Sequence, residues 1–218
     1  MVAARLRCLR VDQRAPVVSN ADDRVDRRRR TRMSEEQRQV ARAKKIKKGL
    51  IIVNTGNGKG KSTAAFGTVL RAWGRGLRVC VIQFIKAETS NYGEIQAARK
   101  LQIEWHSLGD GFTWLSKDIE KTADRARHAW TFAQEKIASG NYDLIVLDEM
   151  TYAFHHGWVD VNTLIAWLKV NKPAMLHLII TGRNAPQELI AYADLVTEMK
   201  LIKHPFDQGV LAQPGIEF

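Results

Sequence analysis

The chain has 218 residues, 45% of them hydrophobic, and a formal net charge of +11. This length can bury the core of one domain of ordinary size, and no apolar run approaches the roughly 20 residues of a membrane-spanning helix, so we expect neither a membrane protein nor a membrane partner. The two cysteines, Cys8 and Cys80, lie too far apart for a metal-binding or redox spacing, which favours a reduced, cytoplasmic protein.

The positive charge is concentrated in an N-terminal extension. Residues 1–48 carry 16 of the 34 lysines and arginines but only 6 of the 23 acidic residues. Residues 1–32 show neither hydrophobic periodicity nor the apolar core of a signal peptide. We predict that they are a disordered basic extension, which a misplaced start codon would explain, and that residues 33–218 form the domain. An arginine-rich tail can also bind nucleic acid, which leaves a nucleic-acid-binding protein as a less favoured alternative.

The predicted domain begins with a helix and then a strand that leads into a glycine-rich turn. Ser34 and Gln37 form the capping-box pattern of a basic helix over residues 34–47. An apolar run over residues 50–55 predicts a strand, and a helical pattern follows over residues 61–74. A strand, a glycine-rich turn, Gly-Lys-Ser and a helix together form the arrangement that holds a nucleoside triphosphate.

We call residues 56–62 of this turn the phosphate loop. Its glycines allow successive N–H groups to point into one concavity, and the helix N-terminus adds partial positive charge. Lysine side chains can reach phosphates, and the Ser62 hydroxyl suits a magnesium ion. The loop is one residue shorter than the usual pattern, because Thr55 stands where the first glycine would be. The residues expected to bind the triphosphate are Gly56, Asn57, Gly58, Lys59, Gly60, Lys61, Ser62 and Thr63.

The rest of the chain alternates predicted strands with predicted helices. This alternation predicts an α/β fold with a mainly parallel sheet flanked by helices. The predicted strands are 78–85, 102–107, 144–149, 175–181 and 194–202, and the predicted helices are 93–100, 117–138, 160–170 and 186–192.

Polar residues follow two of the buried strands. Asp148 and Glu149 end one apolar strand, and Arg183 follows another. An Asp-Glu pair alone is usually a solvated turn, but the phosphate loop in the same chain favours a magnesium site here. The arginine is expected at the same edge of the sheet, where its fork could grip the triphosphate.

Two further features do not define a site by their residues alone. Phe112 and Trp114 lie in a predicted loop, where large aromatic side chains more often pack against the core. His155 and His156 have no matching ligand spacing elsewhere, so we predict that they are structural or surface residues. No pattern supplies the base that a phosphoryl-transfer enzyme needs for a hydroxyl acceptor.

Taken in order, these motifs resemble the ATP:corrinoid adenosyltransferases of the cobalamin pathway, which have a RecA-like phosphate-loop fold. Ser62, where the family usually has threonine, and Met150, where leucine is common, are mild departures. The shortened loop is itself a family feature. The resemblance covers about residues 34–218, and the segments that carry it are 55–67, 83–86, 111–114, 147–149, 180–183 and 203–209.

The resemblance implies a transferase of cobalamin biosynthesis or salvage. In this family the Co(I) of a corrinoid attacks C5′ of ATP and expels triphosphate, so no base is needed. Lys59 and Lys61 are implied to stabilise the leaving group as catalytic residues. A magnesium or manganese ion is implied on Ser62 and Glu149, with Asp148 as a further candidate ligand.

The resemblance also assigns a role to the predicted loop over residues 109–116, which we call the aromatic loop. Phe112 and Trp114 are implied to pack beneath the corrin ring and to keep its lower ligand away from Co(II), which eases reduction to Co(I). A homodimer is implied, with the helix over residues 34–47 lying over the active site, and so is a flavoprotein reductant such as a flavodoxin. An ordinary phosphate-loop ATPase or kinase is the alternative on the same fold.

Overall fold

A six-stranded parallel sheet forms the centre of the structure, which is a computed structural model and describes residues 46–87, 89, 91–111 and 119–217. In the described residues the strand order is β3-β2-β4-β5-β1-β6, and every pair of neighbours is parallel. The strands are β1 Ile51–Thr55, β2 Val79–Ala87, β3 Glu104–Gly109, β4 Leu144–Asp148, β5 His177–Thr181 and β6 Leu195–Glu198.

Helices connect successive strands, as right-handed crossovers between parallel strands require. None of the helices in the described residues is long and apolar enough to cross a membrane. They are α1 Lys61–Trp73, α2 Gly93–Lys100, α3 Ile119–Ala138, α4 Thr151–His155, α5 Val161–Asn171 and α6 Gln187–Tyr192, and a 3-10 helix covers Pro205–Gln208.

The sheet buries both of its faces, which explains the continuous apolar runs of its central strands. Along β2, Cys80 and Ile82 belong to the core cluster on one face, while Val81 belongs to the cluster on the other. Helix α3 contributes Trp130 to the first cluster, and helix α1 contributes Val69 to the second. From Lys47 onward the described residues belong to one compact unit.

This architecture confirms the predicted α/β class, with a parallel sheet flanked by helices. Strand β5 separates β1 from β4, as expected of a RecA-like sheet. Consequently the carboxyl ends of β1, β4 and β5, which carry the phosphate loop, the Asp-Glu pair and Arg183, lie side by side. The edge where a ligand was expected is therefore built from three neighbouring strands.

Several elements differ from the sequence prediction. Strand β3 lies two residues further along the chain than predicted, and the 3-10 helix over Pro205–Gln208 was not predicted. Helix α4 was not predicted, because it has only five residues and no side-chain cap and begins two residues after Glu149. Strand β6 ends at Glu198 rather than at residue 202. Beyond it the chain leaves the sheet edge to contact the phosphate loop, where Gly58 N–H donates to the Met199 carbonyl at 2.7 Å.

Candidate active site

The phosphate loop is shaped by glycines that no other residue could replace without strain. Gly56 and Gly60 have left-handed φ values of 97° and 105°. A Cβ atom on Gly58 would lie 2.7 Å from the carbonyl oxygens of both Met199 and Lys200. The loop therefore depends on the chain that follows β6 as well as on its own backbone.

Lys61 is the first residue of α1 and is folded back over the loop. Its Nζ donates to the Gly58 carbonyl at 2.6 Å, and its side chain is half-buried. Burial lowers the pKa of Lys61 and the Arg183 charge lowers it further, while the carboxylates of Glu149 and Asp148 act in the opposite direction. An anion bound at the N-terminus of α1 would offset the repulsion between Lys61 and Arg183.

The remaining loop residues are more open. Asn57, Lys59 and Thr63 are exposed, while Ser62 is half-buried in the first turn of α1. Lys59 forms an ion pair with Glu217 near the C-terminus. No acidic residue lies in the first turn of α1, so nothing there opposes a bound phosphate.

Asp148 is fully buried and both of its carboxylate oxygens accept hydrogen bonds. Gln83 donates from Nε2 to Oδ2 at 3.0 Å. Thr181 donates from Oγ1 to Oδ1 at 2.6 Å. The carboxylate is therefore held by side chains of the two strands that flank β4.

Glu149, in contrast, faces the cations of the site. Its backbone is left-handed, with φ of 60°, and its N–H donates to Thr181 Oγ1 at 2.9 Å. Burial and the neighbouring Asp148 raise the pKa of Glu149 to about 7, although the charges of Lys86, Lys61 and Arg183 act to lower it. Among the described residues, no side chain forms a hydrogen bond or ion pair with its carboxylate. A half-buried carboxylate without a side-chain partner suits a divalent cation with oxygen ligands, and the Ser62 hydroxyl oxygen is a compatible second ligand.

Arg183 reaches the same site from the end of β5. The Arg183 charge lowers the pKa of both Lys61 and Glu149, which indicates that it lies near both groups. The preceding turn is tightly fixed, since a Cβ on Gly182 would lie 1.9 Å from Thr151 Oγ1. That hydroxyl donates to the Arg183 carbonyl at 2.7 Å.

The structure describes both anchors of the aromatic loop but not Phe112 and Trp114, which lie outside the described residues. On one side Gly111 N–H donates to the Ile85 carbonyl at 2.8 Å, at the carboxyl end of β2. On the other side Arg125 of α3 forms an ion pair with Asp110. The loop therefore begins at the edge of the sheet that carries the phosphate loop. The predicted extension and the helix over residues 34–47 also fall outside the described residues, apart from Ile46 and Lys47 at the end of the latter.

The two adjacent histidines lie on the surface, in an aromatic group after β4. The His156 ring stacks on Trp158 with centroids 4.6 Å apart and contacts His155 edge to face. Both imidazoles are exposed, as expected for surface residues.

Two residues near the site belong to a segment that carries the family resemblance but were not predicted as site residues. Gln83 is the one polar residue in the apolar run 79–85, and this break in the pattern is a signal that could have identified it. Lys86, at the end of the same strand, lies with its Nζ 3.8 Å from the centroid of the Tyr92 ring. Its charge also acts on Glu149.

Comparison with known proteins gives consistent matches over most of the chain. The sequence model of the family described as ATP:corrinoid adenosyltransferase BtuR/CobO/CobP matches residues 47–218. A corrinoid adenosyltransferase from Sinorhizobium sp is 44% identical over 182 residues, covering 82% of this chain and 85% of that protein. One from Pseudomonas aeruginosa is 40% identical over 205 residues, covering 91% of this chain and 100% of that protein. Among solved structures, the flagellar accessory protein FlaH from Methanocaldococcus jannaschii matches with 14% identity and a TM-score of 0.48, covering 70% of this chain and 72% of that one.

Proposed function

This chain belongs to the ATP:corrinoid adenosyltransferase family, and from that membership we propose how its own residues carry out the reaction. The enzyme transfers the 5′-deoxyadenosyl group of ATP to the Co(I) of a corrinoid and releases triphosphate. The electron pair of Co(I) forms the bond to C5′, and the pair of the breaking C5′–O bond leaves with the triphosphate. No proton is removed from the nucleophile, which accounts for the lack of a base motif.

The task of the protein is therefore to stabilise a leaving group whose negative charge grows as the bond breaks. Lys61, which donates to the Gly58 carbonyl, and the N–H groups of the phosphate loop are held in place before the reaction, so they need little reorganisation when the charge develops. The exposed Arg183 adds a further charge from the end of β5. Lys59 adds a further charge once the triphosphate competes with Glu217 for it. The observation that carries this proposal is the sheet order, which brings the carboxyl ends of β1, β4 and β5, and with them Lys61, Glu149 and Arg183, to one edge of the sheet.

Glu149 and Ser62 are the residues proposed to hold a magnesium or manganese ion. Bound there, the ion would supply positive charge to the triphosphate. The carboxylate of Glu149 is suited to this because it is half-buried and has no partner among the described side chains. Binding the ion would keep it ionised at neutral pH.

Product analysis tests the proposed reaction. Incubation with ATP, magnesium and a chemically reduced corrinoid should give an adenosylated corrinoid and inorganic triphosphate in equal amounts. An ordinary phosphate-loop ATPase or kinase would give ADP, with or without the corrinoid. Formation of ADP without any cobalt–carbon bond would therefore contradict the proposal.

Four finer assignments are proposed on the family resemblance. Phe112 and Trp114 displace the lower ligand of the bound corrinoid. A flavoprotein such as a flavodoxin supplies the electron. The enzyme acts as a homodimer, and it works in the cytoplasm. Size-exclusion chromatography with light scattering tests the dimer, and reduction by purified flavodoxin tests the electron donor.

A further inference from the structure

Three buried polar side chains form a continuous row across adjacent strands at the active-site edge of the sheet. Gln83 on β2 is 1% exposed, Asp148 on β4 is 1% exposed, and Thr181 on β5 is 0% exposed. Gln83 and Asp148 are direct partners in the register between β2 and β4. We call these three residues the buried polar row. Such groups are costly to bury unless each is hydrogen-bonded, so a specific role is expected of them.

The direction of each hydrogen bond in the row follows from its neighbours. Trp105 Nε1 and Ser107 Oγ both lie 2.9 Å from Gln83 Oε1. An indole N–H can only donate, so the oxygen of the Gln83 amide faces Trp105 and its NH₂ group faces Asp148. The β3 neighbours thus fix the orientation of the amide, which in turn holds Asp148 Oδ2.

The other end of the row reaches the backbone of Glu149. The Glu149 N–H donates to Thr181 Oγ1, so the hydroxyl oxygen is the acceptor of this bond. The hydroxyl group donates its own proton to Asp148 Oδ1. All bonds in the row are therefore mutually consistent when Asp148 is an acceptor at both oxygens. The row ends on the backbone N–H of Glu149, which is one of three non-glycine residues with a left-handed φ in the described part of the chain.

We propose that the buried polar row positions Glu149, holding its backbone in the left-handed conformation that turns its carboxylate toward Lys61 and Arg183. Gln83, Asp148 and Thr181 are then positioning residues for the divalent cation that Glu149 binds. This assigns Asp148 an indirect role, in place of the direct ligation for which the sequence made it a further candidate. The inference rests on the metal site of the proposed function and deepens it.

The observations favour this indirect role for Asp148. Each of its oxygens already accepts a hydrogen bond from a buried donor, and the residue is only 1% exposed. Glu149 differs on both counts. Side chains that orient a metal ligand through hydrogen bonds commonly change metal affinity 10–100-fold when they are removed.

The test measures binding of Mn²⁺ in the ternary complex with ATP, in the absence of corrinoid. Water-proton relaxation reports Mn²⁺–ATP held by the protein without requiring turnover. Thr181→Val, which removes the hydroxyl at nearly constant volume, should weaken this binding about tenfold or more. Thr181→Ser, which keeps the hydroxyl, should restore it to within about threefold of the wild type.

A double-mutant cycle separates positioning from direct ligation. Asp148→Asn and Glu149→Gln should each weaken Mn²⁺ binding, but the double variant should be little weaker than Glu149→Gln alone, because Asp148 acts through Glu149. If both carboxylates bind the ion directly, the two losses should add. Additive losses, or unchanged binding in folded Thr181→Val, would overturn the inference.

Two controls keep the outcome interpretable. Tyr142→Phe removes a hydroxyl that donates to Glu104 at 2.6 Å, at the opposite edge of the sheet, and should leave Mn²⁺ binding unchanged. If Thr181→Val does not fold, Gln83→Met tests the other end of the row and should also weaken binding. Failure of the wild type to form an adenosylated corrinoid would refute the proposed reaction, whereas the cycle would still decide the role of the row.

Discussion

The two lysines of the phosphate loop lie in different surroundings and should contribute differently to catalysis. Lys61 is half-buried and lies against the Gly58 carbonyl, whereas Lys59 is exposed and paired with Glu217. Water and salt screen a partly buried charge less than an exposed one. Lys61 should therefore provide more of the stabilisation of the leaving triphosphate.

Replacement of Lys61 tests this difference. Lys61→Ala should lower the rate of adenosylation on the order of a hundredfold or more, because it removes a charge fixed in place before the reaction. Lys59→Ala should lower the rate less. Both rates are measured by absorbance with chemically reduced corrinoid and saturating ATP. Near-normal turnover in a folded Lys61→Ala variant would contradict the role assigned to this loop.

The sequence predicts those side chains of the candidate site that follow an apolar strand. Lys61, Glu149 and Arg183 follow the strands whose carboxyl ends meet in the sheet, so topology brings them together. The conformation of Glu149 was not predictable, because a left-handed φ at a glutamate leaves no mark in the sequence. It depends on Thr181, which is 32 positions away.

At the scale of elements, Glu104 joins the beginning of β3 to the end of α3 and to the segment before β4. Its carboxylate accepts from Lys136 at 2.7 Å and from the Tyr142 hydroxyl at 2.6 Å, and it pairs with His106. Burial raises the pKa of Glu104, but the hydrogen bonds from these three groups outweigh burial and hold it at about 2. The ionised carboxylate is therefore stabilised in the folded state.

The pH dependence of stability follows from this lowered pKa. The stabilisation is fully present above the unfolded pKa of about 4.5 and is lost as the pH falls toward the folded value of about 2. Glu104→Gln should cost roughly 1 kcal/mol of unfolding free energy at pH 7, a discounted figure because the side chain is one-third exposed. Most of this difference should disappear near the folded pKa.

Urea unfolding at pH 7 and in the acidic range measures the effect. Glu135→Gln, at an exposed position of α3 next to Lys136, is the control and should show no such pH dependence. If Glu104→Gln lowers the unfolding free energy equally at both pH values, packing and not charge explains the loss.

The aromatic loop is a second element with a testable role. Phe112→Ala and Trp114→Ala should each slow adenosylation about tenfold or more, or about 1.4 kcal/mol in the barrier, when cob(II)alamin and a mild protein reductant are supplied. Removal of the lower ligand matters only before reduction, so both variants should keep much of their rate with chemically prepared Co(I). Equal losses in the two assays would instead indicate that the loop packs the fold or positions the ring.

Most elements could be predicted because hydrophobic periodicity depends on residues close in sequence. Strand β2 and helix α1, for example, begin within one residue of the predicted bounds. Helix α4 and the end of β6 were missed because each is set by tertiary contacts. The turn before α4 follows the strained Glu149, and the chain after β6 turns toward Gly58.

At the scale of the whole molecule, the N-terminal extension should be dispensable. A protein that starts at Met33 lacks only the basic segment, which has no packing pattern in its sequence, and it should melt and adenosylate like the full chain. A second truncation that starts at Lys47 also removes the helix that the family resemblance places over the active site. It should remain folded but lose activity, since the compact unit begins at Lys47.

Thermal melting and the absorbance assay measure both truncations. A marked drop in melting temperature or activity in the protein that starts at Met33 would show that the extension is part of the functional enzyme.

The position of β1 in the sheet has a consequence for how the protein is made. Its neighbours β5 and β6 are encoded more than 100 residues later, and so are Met199 and Lys200, against which the phosphate loop rests. A nascent chain therefore leaves the ribosome with its nucleotide-binding motif unsupported for most of translation. ATP can therefore bind and stabilise the fold only after β6 and the segment that follows it have been synthesised. We expect the ligand to stabilise the folded protein after synthesis and not to assist the folding of the growing chain.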